Sequence, residues 1–240
     1  MPATELRTAE SDPRIIVTPL IPDAWEKLLR EAGVLPTFSD VPAGLRFGFR
    51  LGVSSILSST SISPNHSSAL DNPEVITAHI ASELAEGRYT GPFSPDFPLT
   101  AIGHFRTSPL GVVDKPSAPG SFRIIQDFSF PRTPSTVPSV NDEIDPDLFP
   151  STWGFFPDVV EILINLPLGS EAGTLDVWAA FRRIPVDLRD QAHIVVGWGD
   201  QVWVDHCLPF GAVSSGGIFG RCADAIVEIF RNRGMHPVIK

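Results

Sequence analysis

The spacing of apolar residues along the chain changes near Pro109. Before it they recur at helical intervals, and after it they come in short runs broken by Pro and Gly. Residues 22–32 read as a helix, opened by Pro22-Asp23 and stopped by Gly33, because Pro suits a first helical turn and Gly the left-handed residue past a helix end. A second helix is expected over residues 71–87. There Asp71-Asn72-Pro73-Glu74 supplies a cap, a first-turn proline and a first-turn carboxylate, and Val75, Ile76, Ile80 and Leu84 share one face. Residues 52–69 are rich in Ser, carry Pro64 and Asn65, and read as a mobile linker.

Beyond Pro109 the short runs read as strands. Residues 110–115 and 122–127 flank a Pro/Gly-containing loop, as in a hairpin that lets Lys115 and Arg123 approach one another. Residues 155–166 suit a helix begun by Pro157-Asp158, and residues 173–177 a short buried strand. Residues 194–198 and 201–205 enclose Gly199-Asp200 as a second hairpin. A long helix is expected from Ser214 to Asn232, with Gly216 and Gly217 confined to its first turn, and residues 236–240 begin another strand. Runs of strands mixed with helices in this order indicate an α+β fold.

Composition narrows the classes. At 240 residues, 42% hydrophobic and 19% charged, the chain can bury a core. Its 24 prolines are about twice the usual share of roughly 5%, so many connections should be extended. Cys207 and Cys222 have neither CxxC nor His spacing for zinc, and two thiols make no secreted disulfide framework, so an intracellular setting, cytoplasmic or nuclear, is expected. No apolar run approaches the roughly 18 residues of a membrane span, and no membrane partner is expected. A net charge of -10 argues against a simple nucleic-acid-binding module. The distribution sharpens this. From Thr133 to Phe181 there is no Lys or Arg, whereas basic residues punctuate residues 115–132 and 182–189, which read as ordinary surface arginines beside a solvated acidic face.

Three segments carry candidate chemistry. Leu175-Asp176-Val177-Trp178-Ala179-Ala180-Phe181 places a carboxylate after an apolar run and an aromatic five positions later. Such an Asp can hold Mg²⁺ while the aromatic faces whatever the metal binds, although a lone Asp here also suits a helix cap or loop. Upstream, Lys115 and Arg123 can neutralise phosphates. Downstream, Leu208-Pro209-Phe210-Gly211 leads through Ser214 to Gly217 into a helix whose small residues allow close backbone approach to a ligand.

In order and spacing these segments resemble the reverse transcriptase family, the palm-and-fingers RNA-directed DNA polymerases of retroelements. Ser108-Pro109-Leu110-Gly111-Val112-Val113 with Lys115 and residues 122–127 resembles the fingers hairpin, and Pro138-Ser139-Val140-Asn141 the turn that follows it. Residues 175–181 with Pro185 resemble the first palm motif, and residues 208–219 the segment that positions template and nucleotide. Gly87-Arg88-Tyr89-Thr90-Gly91-Pro92-Phe93 and Phe219-Gly220-Arg221 are most like fungal retroelement polymerases. The resemblance implies that Asp176 and the Val177 carbonyl hold metal and that Lys115 and Arg123 grip the triphosphate. It further implies that Ala180 lies in the nucleotide site, that Phe181 excludes a ribose 2′-hydroxyl, and that Phe210 and Gly211 border the nucleotide pocket. Two Mg²⁺ or Mn²⁺ ions, an RNA template, a DNA primer and dNTP would be its cofactors and partners.

The expected architecture is an incomplete palm-and-fingers polymerase fold with an antiparallel palm sheet backed by helices. Residues 1–70 would form an extension and linker, 71–140 the approach helix and fingers, and 141–240 the palm. Two departures from the family pattern matter. Ala179 stands where some members carry a second acidic residue, and the chain ends before the aromatic-x-Asp-Asp turn that follows a strand like residues 238–240. No thumb or RNase H segment is expected within residues 1–240. Two-metal phosphoryl transfer needs ions about 3.5–4 Å apart, which one carboxylate cannot hold, so nucleotidyl transfer by this chain alone is not expected. Without a returning strand the palm sheet would also expose an edge beside residues 173–177, favouring association. Three readings stay open: a polymerase domain fragment, a non-catalytic nucleotide- or nucleic-acid-binding remnant, and an unrelated phosphotransferase or hydrolase using Asp176 as nucleophile. The last lacks the second carboxylate it would want at Trp178.

Overall fold

A computed structural model of the chain describes residues 12–116, 118, 120–133, 137–151 and 154–237. Its elements in chain order are α1 (Pro22–Glu31), α2 (Asp40–Phe47), α3 (Ser67–Leu70), α4 (Pro73–Ala85), β1 (Tyr89–Phe93), α5 (Asp96–Ile102), β2 (Leu110–Asp114), β3 (Phe122–Gln126), α6 (Phe156–Asn165), β4 (Val196–Trp198), β5 (Gln201–Asp205) and α7 (Ser215–Asn232). The fold is α+β, with small antiparallel sheets among helices.

The helices begin where proline and acidic residues place them. α1 and α4 carry Pro in their first turn with Asp23 and Glu74 alongside. Residue 71 is not the cap of α4, however. Asp71 closes α3, and Asn72 occupies the cap position while its side-chain amide donates to the Ser68 carbonyl. α4 turns Ile76, Ile80 and Glu83 inward, a carboxylate in line with two isoleucines at i, i+4 and i+7. α2 and α5 were not anticipated.

β5 is the middle strand of a three-stranded sheet ordered β1-β5-β4. Trp198 pairs with Gln201 across Gly199-Asp200, the tight hairpin turn that Gly199 permits at φ 62°. Val202, Trp203 and Val204 are all buried, so the sheet is covered on both faces. β2 and β3 form a separate hairpin with Val113 opposite Arg123. Leu110 and Val112 on its inner face join Ile76, Ile80, Tyr89, Val196 and Trp203 in one core. The larger core gathers Leu29, Val41, Leu45, Leu51, Phe128, Ile184, Val186, Leu208 and the inward face of α7.

Three expectations are corrected. Residues 173–177 form no strand: they are irregular, and Leu175 is 87% exposed. A strand persists only with a ladder partner and a buried face, and the described sheets offer this segment neither. The open edge expected beside it is therefore not there, the edge strands being β1 and β4. Residues 52–66 are irregular chain tied in place, and residues 67–69 enter α3, so the segment is not a mobile linker. The Asn65 side chain accepts from Leu110 N and donates to Gly197 O, Ser61 N bonds Phe105 O, and Ala69 is fully buried. His236 and Pro237 are irregular, and the remainder of the strand expected over residues 236–240 lies outside the described residues.

One buried group is expected to make the fold sensitive to mild acid. His193 lies in a short turn near Arg106, which is ion-paired to Glu143. Burial, with the Arg106 charge adding to it, pushes the His193 imidazole down to about 4 from 6.5, and its Nδ1 has no partner. A folded-state value below the unfolded one means the contribution is complete above 6.5 and is lost as pH falls toward 4. His79 is shifted the same way, chiefly by burial. The thermal midpoint should therefore drop as pH is lowered through this window, and His193→Gln should flatten the drop. An equally steep profile in the variant would take His193 out of the account.

Candidate nucleotide-binding site

The β2–β3 ladder sets the first part of the site. Side chains alternate across a strand, and directly paired residues share a face. Val113 faces the side of Arg123, so Lys115, two residues on, projects from that side too, where its backbone N–H continues the ladder to Ser121 O. Lys115 and Arg123 are diagonal neighbours on the hairpin's outer face, both exposed, and neither makes an ion pair with a described residue. The structure thus brings these two cations together at the hairpin end.

Phe181, Phe210 and Phe219 form the second part. The Phe181 ring centroid is 4.8 Å from that of Phe210 and 5.7 Å from that of Phe219. Phe210 is 56% exposed, so one aromatic surface remains open. Ala180 begins the short turn of Phe181–Arg183 and is half-buried. Just before it, Ala179 holds φ 52°, a left-handed conformation that costs a non-glycine residue about 1–2 kcal/mol.

Asn141 joins the loop that follows the hairpin to the Phe210-Gly211 turn. Its amide nitrogen donates to Gly211 O at 3.0 Å and to Ser129 Oγ at 2.9 Å, and its Oδ1 accepts from Val213 N at 2.9 Å. Gly211 adopts φ 102°, and a Cβ there would lie 2.9 Å from the carbonyl of Gln126, the last residue of β3. The absence of a side chain lets the Phe210-Gly211 turn close against the hairpin's base. Asn141 falls in the turn that the sequence marks at residues 138–141, and its bridging role becomes visible only in the fold.

Asp176 and Val177 stand apart. Both are exposed on irregular chain. Among the described residues no group of three or more His, Cys, Asp and Glu could hold a metal ion. One exposed carboxylate with a neighbouring carbonyl does not fit a two-ion centre, which needs carboxylates shared between ions. Cys207 and Cys222 are free and buried, and burial pushes both thiols up to about 12, so neither is a ready ligand or nucleophile.

A buried ion cluster lies directly behind Phe181, and the reading of Arg182 as an ordinary surface residue is overturned by it. Arg182 is 8% exposed and donates to both oxygens of Asp205 at 2.8 and 2.9 Å and to Glu83 at 2.8 Å. Glu83 also accepts two hydrogen bonds from Arg88, at 2.7 and 2.8 Å. Arg182 further donates to the carbonyls of Cys207 and Leu208, which lead into Pro209-Phe210. Two cations balance two carboxylates. Burial alone would raise Glu83, but the Arg88 hydrogen bonds and the Arg182 charge hold it down at about 2. Asp205 moves the other way, raised by burial with Arg182 opposing. The cluster fixes the Phe181 turn to the Phe210 turn from behind.

No family model matches the sequence, and no curated protein does. Among solved structures the chain is similar to native prototype foamy virus protease-reverse transcriptase, at 17% identity over 91% of this chain and 28% of that one, with a TM-score of 0.47. It is similar to the foamy viral protease-reverse transcriptase in complex with RNA/DNA hybrid at 16% identity, 94% and 29% coverage and a TM-score of 0.49. The foamy viral protease-reverse transcriptase dRH in complex with double-stranded DNA gives 14%, 92% and 37%, and a TM-score of 0.43. The chain thus spans 28% to 37% of the length of these proteins. Among its described residues no helix is long and apolar enough to cross a membrane.

Proposed function

We propose that this chain is the nucleotide-binding part of an RNA-directed DNA polymerase of the fungal retroelement kind, receiving a dNTP opposite an RNA template and beside a DNA primer. The observation that carries the reading is the Asn141 bridge. It ties the loop just after the hairpin, at Ser129, to the turn of Phe210 and Gly211, against which Phe181 stacks, while Gly211 closes on the hairpin's base at Gln126. Segments that resemble the family's fingers and palm motifs, far apart in sequence, thereby meet in space.

The roles follow from chemistry. Lys115 and Arg123 supply charge-assisted hydrogen bonds to phosphate oxygens from one face of a strand pair. Phe210 offers an open ring for base or sugar contact, and Phe181, held between Phe210 and Phe219, sets how much room a 2′-substituent has. Asp176 would add a single carboxylate to a cation that arrives with the nucleotide's own phosphates.

Binding of a fluorescent dNTP analogue in Mg²⁺ tests the proposal. Lys115→Ala and Arg123→Ala should each weaken binding about tenfold, the worth of one hydrogen bond to a charged group, and binding should fall with added salt. Wild-type protein that binds no nucleotide, or variants that bind like it, would end the polymerase reading. A second reading, a binding module without catalysis, is favoured by the exposed, isolated position of Asp176. Oligo(dT) extension on a poly(rA) template bears on it in one direction: incorporation by this chain would rule the module out.

A further inference from the structure

α6 carries an apolar stripe that no described residue buries. Phe156, Val160, Leu163 and Ile164 recur at i, i+4, i+7 and i+8, the spacing of one helix face, and Phe156 and Ile164 are 74% and 75% exposed. No residue of the helix is buried. Val159 and Ile162 are half-buried and turn toward the protein, leaving the stripe outward. Phe155, just before the helix, is exposed as well. Contiguous exposed apolar surface of this kind marks a site of association.

Charge selects the occupant. Glu161 lies one turn before Ile164, on the rim of the stripe, whereas Asp158 caps the helix by accepting from Phe155 N. From Thr133 to Phe181 the chain holds eight acidic residues and no Lys or Arg. Helices that lie on lipid and surfaces that bind nucleic acid are flanked by cations, so this rim disfavours both. A symmetric second copy would bring a like charge, its own Glu161, to the same rim.

We propose that α6 is a docking surface for a basic amphipathic helix of a partner protein, whose apolar residues cover Phe156, Val160, Leu163 and Ile164 while its Lys or Arg side chains reach Glu161. The inference does not depend on the polymerase reading. It is tested by fluorescence anisotropy with a labelled Leu/Lys amphipathic peptide of about five helical turns and a Leu/Glu peptide with the same apolar face. The Leu/Lys peptide should bind and the Leu/Glu peptide should not. Phe156→Ser with Leu163→Ser should raise the dissociation constant at least about tenfold, and Glu161→Gln about threefold. Ile56→Ser, which removes an exposed apolar residue elsewhere, should leave it unchanged. Equal affinity for the two peptides, or a double serine variant that binds like wild type, would overturn the proposal. So would a dimer by light scattering that the double variant dissociates, or α6-dependent binding to zwitterionic vesicles. Because no α6 residue is buried, the variants should fold, which circular dichroism checks.

Discussion

Replacing Arg182 with methionine is expected to destabilise the fold by about 3–5 kcal/mol, the usual cost of removing one partner from a buried ion pair. The loss falls on Asp205, which is 1% exposed and has Arg182 as its cation, whereas Glu83 keeps Arg88. Methionine fills much of the volume, so lost packing contributes little and the charge is isolated. The urea midpoint of unfolding should fall accordingly. Asp205→Asn in the Arg182→Met background should recover part of it, because the amide oxygen can still accept from Cys207 N while the stranded charge is gone. pH gives an independent check. Without the opposing cation the Asp205 carboxyl rises further above its unfolded value, and a raised group stabilises at low pH and loses that contribution as pH increases. The variant's deficit should therefore be smaller near about pH 4 than near about pH 8. A variant as stable as wild type at both would show that the cluster does not support the fold. The same substitution frees the Cys207 and Leu208 carbonyls, so the Phe181–Phe210 stack should loosen with it.

What the sequence disclosed of the fold divides along physical lines. α1, α4, α6, α7 and both hairpins were legible because each carries its own signal: a first-turn proline, a one-sided apolar period, or a Gly-containing turn between two short apolar runs. α2 and α5 were hidden by Pro42, Gly44 and Pro98, residues that argue against a helix and are tolerated here in short segments packed on a core. The alternation of Leu175 and Val177 mimics a strand, but pairing is a property of two segments, and one segment cannot reveal the partner it lacks. Residues 52–69 misled for the opposite reason. Their Ser and Asn content suggests solvent, yet Asn65 bonds the backbone of two separate strands. Of the candidate site, the placement of Lys115 beside Arg123 follows from hairpin register alone. The contact between Phe181 and Phe210 could not be read from spacing, because it depends on Arg182 being buried. A signal for that did exist: Glu83 falls in the apolar stripe of α4, and Asp205 ends an apolar strand. Two carboxylates at inward positions call for a buried cation.

Gly48→Ala is the second change expected to disable the fold, by about 2–6 kcal/mol. Two costs add. Gly48 adopts φ 88° and ψ 149°, a region essentially reserved for glycine, where another residue costs about 1–3 kcal/mol. A Cβ there would lie 2.3 Å from the backbone nitrogen of Asp187 and 2.5 Å from the Val186 carbonyl carbon, and backbone atoms cannot rotate aside as a side chain would. Overpacking of that kind costs about 1–3 kcal/mol more. The clash falls on the parallel bridge in which Phe49 N donates to Pro185 O and Asp187 N donates to Phe49 O. That bridge holds the chain immediately after the Phe181–Arg183 turn. Gly33→Ala provides the comparison, since Gly33 has φ 75° and nothing within 4 Å of the added carbon. It should cost only the left-handed strain of about 1–2 kcal/mol. Equal urea midpoints for the two variants would mean that the chain around Asp187 yields to the added methyl. A much lower midpoint for Gly48→Ala would show the bridge to be rigid, and nucleotide affinity should then fall in that variant and not in Gly33→Ala, because only Gly48 lies against the segment that positions Phe181.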